Sequence, residues 1–142
     1  MAHIGIDSRL THYRVGGIST YITALIEALR KVDTPHHFTI AKSRKAHLNN
    51  TAKFKEVGLW TPPHHRLERI ALSGELVRFG LDIFHATDFI PPYFGAKRQV
   101  ITVHDLTFLH YPQHKDRAAQ SYYNDQINYA VSHADHILAV SE

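Results

Sequence analysis

Residues 100–105 constrain the fold of this chain more than any other segment. Residues 100–103 (VITV) are apolar or β-branched, and they lead directly into His104 and Asp105. Such a run is typical of a buried strand that brings two ionisable side chains to its carboxyl end. Because ligands bind at the carboxyl ends of strands in open α/β sheets, the segment predicts a site at the rim of a sheet.

Hydrophobic periodicity predicts that strands and helices alternate along the chain. The strands are predicted at residues 3–6, 38–41, 54–60, 81–85, 100–103 and 136–140, and the helices at 19–32, 65–79 and 116–134. The strands are apolar without strict alternation, which favours a mostly parallel sheet with helices on both faces. We therefore predict an α/β fold.

Finer features of the helices are also predicted. Gly16 and Gly17 open the first helix, and Asp116 is a candidate N-cap of the last. Helical spacing indicates the core-facing residues of the middle helix as Leu67, Ile70, Ala71 and Val77, and those of the last helix as Tyr122, Tyr123, Ile127, Ala130 and Val131.

Composition excludes several classes of protein. The 142 residues are 44% hydrophobic, which is enough for one globular domain with a core. The net charge of +3 comes without a long basic run, so nucleic-acid binding is not favoured. The absence of cysteine excludes disulfides and thiol chemistry. No secretion signal or membrane-spanning run is visible, so we expect a cytoplasmic protein.

Histidine is abundant, with 13 residues, and two pairs lie beside proline: His36-His37 and His64-His65. We interpret these pairs as solvated surface imidazoles. No two histidines lie four residues apart on one helix face beside a carboxylate, so no metal site is predicted.

The glycine pair Gly16-Gly17, with Arg14 just before it, precedes the first predicted helix. Glycines allow close backbone approach, and a helix N-terminus offers N–H groups to an anion such as phosphate. The segment is not a complete dinucleotide-binding or P-loop motif. A simple flexible turn is the alternative interpretation.

Acidic and histidine side chains follow three predicted strands. His104 could bind a sugar hydroxyl or transfer a proton. Asp105 could orient ligand hydroxyls or cap the next turn. The role of Asp7, at the end of the first strand, is similarly ambiguous. We interpret Asp88 first as a turn-forming residue and second as a catalytic residue.

Basic residues in the middle of the chain could contact anionic lipid at the inner membrane face. A solvated surface is the preferred interpretation of this group, which comprises Lys42, Arg44, Lys45, Arg66, Arg69 and Arg78.

Three ordered groups of motifs resemble retaining glycosyltransferases of family four. Residues 4–9 (IGIDSR), Gly16-Gly17-Ile18 and Tyr21 resemble the start of the family. Residues 82–89 (DIFHATDF) and 103–106 (VHDL), with Phe108 and Pro112, resemble its middle loops, and residues 134–141 (ADHILAVS) resemble its helix–strand unit that ends in Val-Ser.

The resemblance implies one half of a GT-B fold, in which two Rossmann-like domains face each other across a cleft. Residues 1–142 would be a single amino-terminal, acceptor-side domain, and the donor-binding domain with its paired glutamates would be absent. Gly16 and Gly17 would lie near the donor diphosphate, and His104 would contact the transferred sugar. The nucleotide-sugar would be a co-substrate, without a cofactor or metal, and transfer would retain the anomeric configuration.

The leading hypothesis is therefore half of a hexosyltransferase that is inactive alone. His104 is the predicted catalytic residue, and Gly16, Gly17, Arg14, Asp105 and Asp88 are the predicted binding residues. The expected partners are a donor-binding domain or complementary subunit and a glycan, lipid-linked or small-molecule acceptor. The alternative is a non-catalytic Rossmann-like binding or assembly module. An independent nucleotide-binding enzyme is disfavoured by the incomplete glycine motif.

Overall fold

A parallel β-sheet organises the computed structural model, which describes residues 1–50, 53–111, 113 and 116–140. Pro112, Ser141 and Glu142, which were considered above, lie outside the described residues. In the described part of the chain, six strands form one sheet in the order β3-β2-β1-β4-β5-β6. These strands are β1 (His3–Asp7), β2 (His37–Ser43), β3 (Phe54–Leu59), β4 (Leu81–Ala86), β5 (Ala96–Val103) and β6 (His136–Ala139).

All neighbouring strands pair in parallel, which confirms the predicted fold class. The helices between them are α1 (Leu10–Tyr13), α2 (Gly17–Lys31), α3 (Glu68–Leu76), α4 (Thr107–His110) and α5 (Arg117–His133), and a 3-10 helix, Val77–Phe79, extends α3. Helices α1 and α4 were not predicted, because four residues are too few to show a hydrophobic period.

Helices pack on both faces of the sheet and form two cores. On one face, α2 contributes Leu25, Ile26 and Leu29 to a cluster with Phe38 and Ile40. On the other face, α3 and α5 contribute residues such as Leu72 and Ala130, which pack on Phe84 and Ile101. This arrangement confirms the prediction of helices on both faces of the sheet.

The surface beside α2 is only partly covered. Ile83, Val100 and Leu138 are half-buried, and with Leu25 and Leu29 they line an apolar depression of about 340 Å³. Parallel sheets normally bury both faces under helices, so this part of the sheet is less covered than the rest.

The predicted inner face of the middle helix is wrong. Leu67, Ile70 and Val77 are 60%, 59% and 57% exposed. Helix α3 begins at Glu68, after a loop in which His64 has a φ of 60°. Its inner face comprises Arg69, Leu72, Ser73 and Leu76, the i, i+3, i+4, i+7 positions counted from Arg69.

The last helix agrees better with the prediction. The carboxylate of Asp116 accepts a hydrogen bond from the amide of Ala119 at 2.7 Å, which confirms the N-cap. Ile127 and Ala130 are buried in the sheet-facing side, as expected. Val131 is 48% exposed, so its assignment to the inner face is wrong.

Gly95 packs tightly against α3, whereas Gly74 faces open space. Gly95 has a φ of 111°, and a Cβ there would lie 2.7 Å from the Cβ of Leu76. Gly95→Ala should therefore lower the free energy of unfolding by about 2–4 kcal/mol, measured by urea denaturation. Gly74→Ala is the matched control and should raise it by about 0.5–1 kcal/mol. Equal denaturation midpoints for the two variants would contradict the close approach of the loop to α3.

Candidate functional site

Three strands that are adjacent in the sheet, β1, β4 and β5, end close to aspartates that shape the following loops. Asp7, Asp88 and Asp105 each accept a hydrogen bond at 3.0 Å from the amide two residues further on. This geometry confirms the turn-forming interpretation of Asp88 and favours the capping interpretation of Asp105. Because the three strands are parallel, the loops that follow them lie at one edge of the sheet.

A cavity of about 120 Å³ lies at this edge. It brings together four of the six predicted site residues: Arg14, Asp88, His104 and Asp105. Ile18, His64, Phe89 and Tyr123 complete its lining. A concavity therefore lies at the rim where a site is predicted, and four of its eight lining residues are among the predicted site residues.

Gly16 and Gly17 lie beside this cavity rather than in its lining. Gly16 is the N-cap of α2 and Gly17 its first residue, and both are exposed. A Cβ on either glycine would meet nothing within 4 Å among the described residues. The N-terminus of α2 is thus accessible to a ligand. Arg14, which lies three residues before the start of α2, lines the cavity.

His104 is held in one orientation by the backbone of the preceding loop. Its Nε2 lies 2.7 Å from the carbonyl oxygen of Thr87, and its ring packs edge-on against Tyr21 at 4.9 Å between centroids. A carbonyl can only accept, so Nε2 carries the proton and donates it. In the neutral ring, Nδ1 is then the acceptor, which is suited to a hydroxyl group of a ligand.

His64 is a site residue that the sequence did not indicate. Its Nε2 lies 2.8 Å from a carboxylate oxygen of Asp88, and its side chain is 15% exposed. The interpretation of His64 as a solvated surface imidazole is therefore wrong. Asp88 lies 24 positions away in the chain, so no local spacing pattern could have indicated the pair.

A buried ion network supports the loop that carries His64. The guanidinium of Arg9 binds Asp7 at 2.6 Å and Glu68 at 2.7 Å, and its Nη1 donates to the carbonyl of Thr61 at 2.9 Å. The second oxygen of Glu68 accepts from the backbone amide of His64 at 2.6 Å. Asp7, left open by the sequence, is thus part of a structural ion pair.

The electrostatic environment shifts the pKa values of several groups near the site. Burial would raise the pKa of Asp88, but the hydrogen bond from His64 brings it below the usual range. Burial raises the pKa of Glu68 to about 7, against the opposing effect of Arg9. Burial also lowers the pKa of His85 to about 4, and its ring hydrogen-bonds the hydroxyl of Thr102 at 2.7 Å.

Only one of the six basic residues considered for lipid contact is deeply buried. Arg69, 5% exposed, hydrogen-bonds Gln126 and lies over the ring of Tyr129 at 4.0 Å, so its assignment to the surface is wrong. Lys42 is paired with Glu56 at 2.8 Å. The exposed members are Arg44, Lys45, Arg66 and Arg78. A membrane contact stays a prediction.

Within residues 1–50, 53–111, 113 and 116–140, no helix has the length and apolar character needed to cross a bilayer. In the same ranges, no three side chains of His, Cys, Asp or Glu are grouped to hold a metal ion.

Comparison with known families adds the decisive observation. A model of Glycosyltransferase Family 4 matches residues 15–142. This chain belongs to Glycosyltransferase Family 4. The matched range of the Family 4 domain includes the glycine pair, His104 and His64, and its Rossmann-like parallel sheet fits one half of a GT-B fold. Comparisons with curated proteins and with solved structures gave no match.

Glu68 and His85 predict opposite pH dependences of stability. The pKa of Glu68 in the folded protein, about 7, exceeds its ordinary 4.5, so its contribution to stability is lost as the pH rises from 4.5 to 7. The pKa of His85, about 4, lies below its ordinary 6.5, so its contribution is lost as the pH falls from 6.5 to 4.

Substituting one of these residues removes its own pH-dependent contribution to the free energy of unfolding. The contribution of the other residue should then remain. Relative to wild type, the free energy of unfolding of Glu68→Gln should decrease as the pH falls from 6.5 to 4.5. That of His85→Gln should decrease relative to wild type as the pH rises from 4.5 to 6.5. The change for His85→Gln should be about 2–3 kcal/mol, and that for Glu68→Gln should have the opposite sign; both are measured by urea denaturation at several pH values. Parallel pH profiles for the two variants would contradict these environments.

Proposed function

We propose that this chain is the acceptor-side half of a glycosyltransferase that transfers a hexose from a nucleotide-sugar to an acceptor hydroxyl. The observation that carries the proposal is the match to Glycosyltransferase Family 4 over residues 15–142. The cavity at the strand ends supports it, because oriented imidazoles and carboxylates suit the recognition of sugar hydroxyls.

His104 is the catalytic residue in this proposal. Its Nε2–H is engaged by the carbonyl of Thr87, and Nδ1 is the nitrogen left to contact a hydroxyl of the transferred sugar. A fixed ring of this kind stabilises the transition state without reorganising during the reaction. Asp88 and Asp105 line the same cavity and complete the sugar side of the site.

The diphosphate of the donor is assigned to the open N-terminus of α2. Gly16 and Gly17 leave room for close approach, and Arg14 adds a formal positive charge between this terminus and the cavity. With the phosphates held in this way, the proposed reaction uses the nucleotide-sugar as co-substrate and requires no metal or cofactor. Transfer with retention is part of the same proposal.

A second structural half, covalently attached or a separate subunit, completes the active enzyme in this proposal. The cavity of about 120 Å³ is smaller than the ~300–1,000 Å³ typical of small-molecule sites, so it holds one end of a sugar. The apolar depression beside α2 supports contact with further polypeptide.

The isolated chain should therefore not bind the donor tightly. Titration calorimetry with UDP, GDP and their hexose conjugates should give no binding in the micromolar range. Micromolar binding would show that this half holds the nucleotide by itself, and the proposed division between the two halves would have to be abandoned.

His104→Ala tests the catalytic assignment in the enzyme reconstituted with its donor-binding half. The kcat for transfer should fall at least about a hundredfold, because an oriented contact to the reacting sugar is lost. His37→Ala is the matched control, since His37 is exposed at the amino end of β2, and its kcat should equal wild type. Unchanged transfer by His104→Ala would remove His104 from the mechanism.

A further inference from the structure

The loop between β3 and α3 holds a histidine in a backbone conformation that L-residues rarely adopt. Within the described ranges, His64 is the only non-glycine residue with a positive φ, at 60°. It follows Pro62-Pro63, and its amide is fixed by the carboxylate of Glu68 at 2.6 Å. Such conformations persist where the surrounding structure imposes them, and they concentrate at functional sites.

The imidazole of His64 is fixed as firmly as its backbone. One oxygen of Asp88 receives the Nε2–H of His64 at 2.8 Å, while the other receives the amide of Ile90 at 3.0 Å. Each oxygen of the Asp88 carboxylate therefore has a hydrogen-bond partner, and the carboxylate in turn orients the imidazole ring of His64. Because Nε2 carries the donated proton, Nδ1 of the neutral ring is a hydrogen-bond acceptor.

His64 lines the cavity that also contains His104. Nδ1 of His64 lies 3.4 Å from the hydroxyl of Tyr123, which is longer than an ordinary hydrogen bond. His64, Tyr123 and His104 all line the cavity. The two imidazoles come from different loops, yet each donates Nε2–H to an oxygen of the protein.

We infer that His64 binds the acceptor substrate of the transfer. Its Nδ1 receives a hydrogen bond from a hydroxyl group of that substrate, and Asp88 and Glu68 are positioning residues. The inference rests on the proposed glycosyltransferase function and adds the acceptor's chemical class. Asp88 and Asp105 place two carboxylates in the cavity lining against the single cation of Arg14. The bound end of the acceptor is therefore a neutral sugar alcohol and not a phosphate ester.

Two substitutions at residue 64 separate ligand binding from a structural role. The side-chain oxygen of Asn reaches the position of Nδ1, whereas the amide of Gln reaches that of Nε2 and can still donate to Asp88. In the reconstituted enzyme, His64→Gln should raise the KM for the acceptor at least tenfold. His64→Asn should raise it less than threefold. The donor KM and the slow hydrolysis of donor by water should stay at wild-type values in both.

His65→Gln is the matched control, because His65 is the exposed neighbour of His64. It should leave the acceptor KM unchanged. A wild-type acceptor KM in His64→Gln would overturn the inference, and so would equal impairment of His64→Gln and His64→Asn. Absence of both transfer and donor hydrolysis in the wild-type enzyme would instead overturn the proposed function.

A spectroscopic measurement tests the same contact without turnover. With ¹⁵N-labelled histidine, methyl glucoside, methyl galactoside and methyl mannoside are titrated, and glucose 6-phosphate is the charged comparison. At least one hexoside should shift the Nδ1 resonance of His64 while Nε2 stays protonated, and the phosphate ester should shift it less. A proton on Nδ1, or a larger response to the phosphate ester, would overturn the inference.

Discussion

The buried guanidinium of Arg9 is the interaction on which the rim of this sheet depends. It lies two residues after β1, is 1% exposed, and binds Asp7 and Glu68 through hydrogen-bonded ion pairs. Removing one partner of a buried pair typically costs about 3–5 kcal/mol, because it leaves an uncompensated charge. The three groups are therefore stable only together. Their pairing fixes the start of α3 relative to the first strand.

The same network also fixes the position of His64 in the site. Glu68 uses one oxygen for Arg9 and the other for the amide of His64. Asp88 similarly uses one oxygen for its own turn and the other for the imidazole of His64. Each carboxylate thus has a scaffold contact and a site contact. Side chains held in this way need little reorganisation when a ligand binds, which is what oriented recognition requires.

The N-terminus of α2 and the cavity are neighbouring but distinct parts of the rim. The open N-terminus of α2, with Gly16 and Gly17, offers backbone N–H groups and the positive end of a helix dipole. The cavity beside it contains two imidazoles and two aspartates. In the function we propose, this separation places the phosphates of the donor over the helix and the sugars at the cavity. Arg14 lies between the two regions.

The sequence by itself determined the features that depend on neighbouring residues. The alternation of strands and helices, the N-cap at Asp116, the turn at Asp88 and the glycine pair before α2 follow from local periodicity and local hydrogen bonds. Motifs in their order along the chain were enough to indicate the family.

Only the tertiary structure decided which side chains meet across the fold. The contact of His64 with Asp88 spans 24 positions, and that of Arg9 with Glu68 spans 59. The inner face of α3 differed from the prediction because it carries Arg69 and Ser73, polar residues whose partners lie on other elements. A local pattern records the hydrophobicity of a residue but not its distant partners. For that reason, His104 could be predicted at a strand end, whereas the burial and pairing of His64 could not.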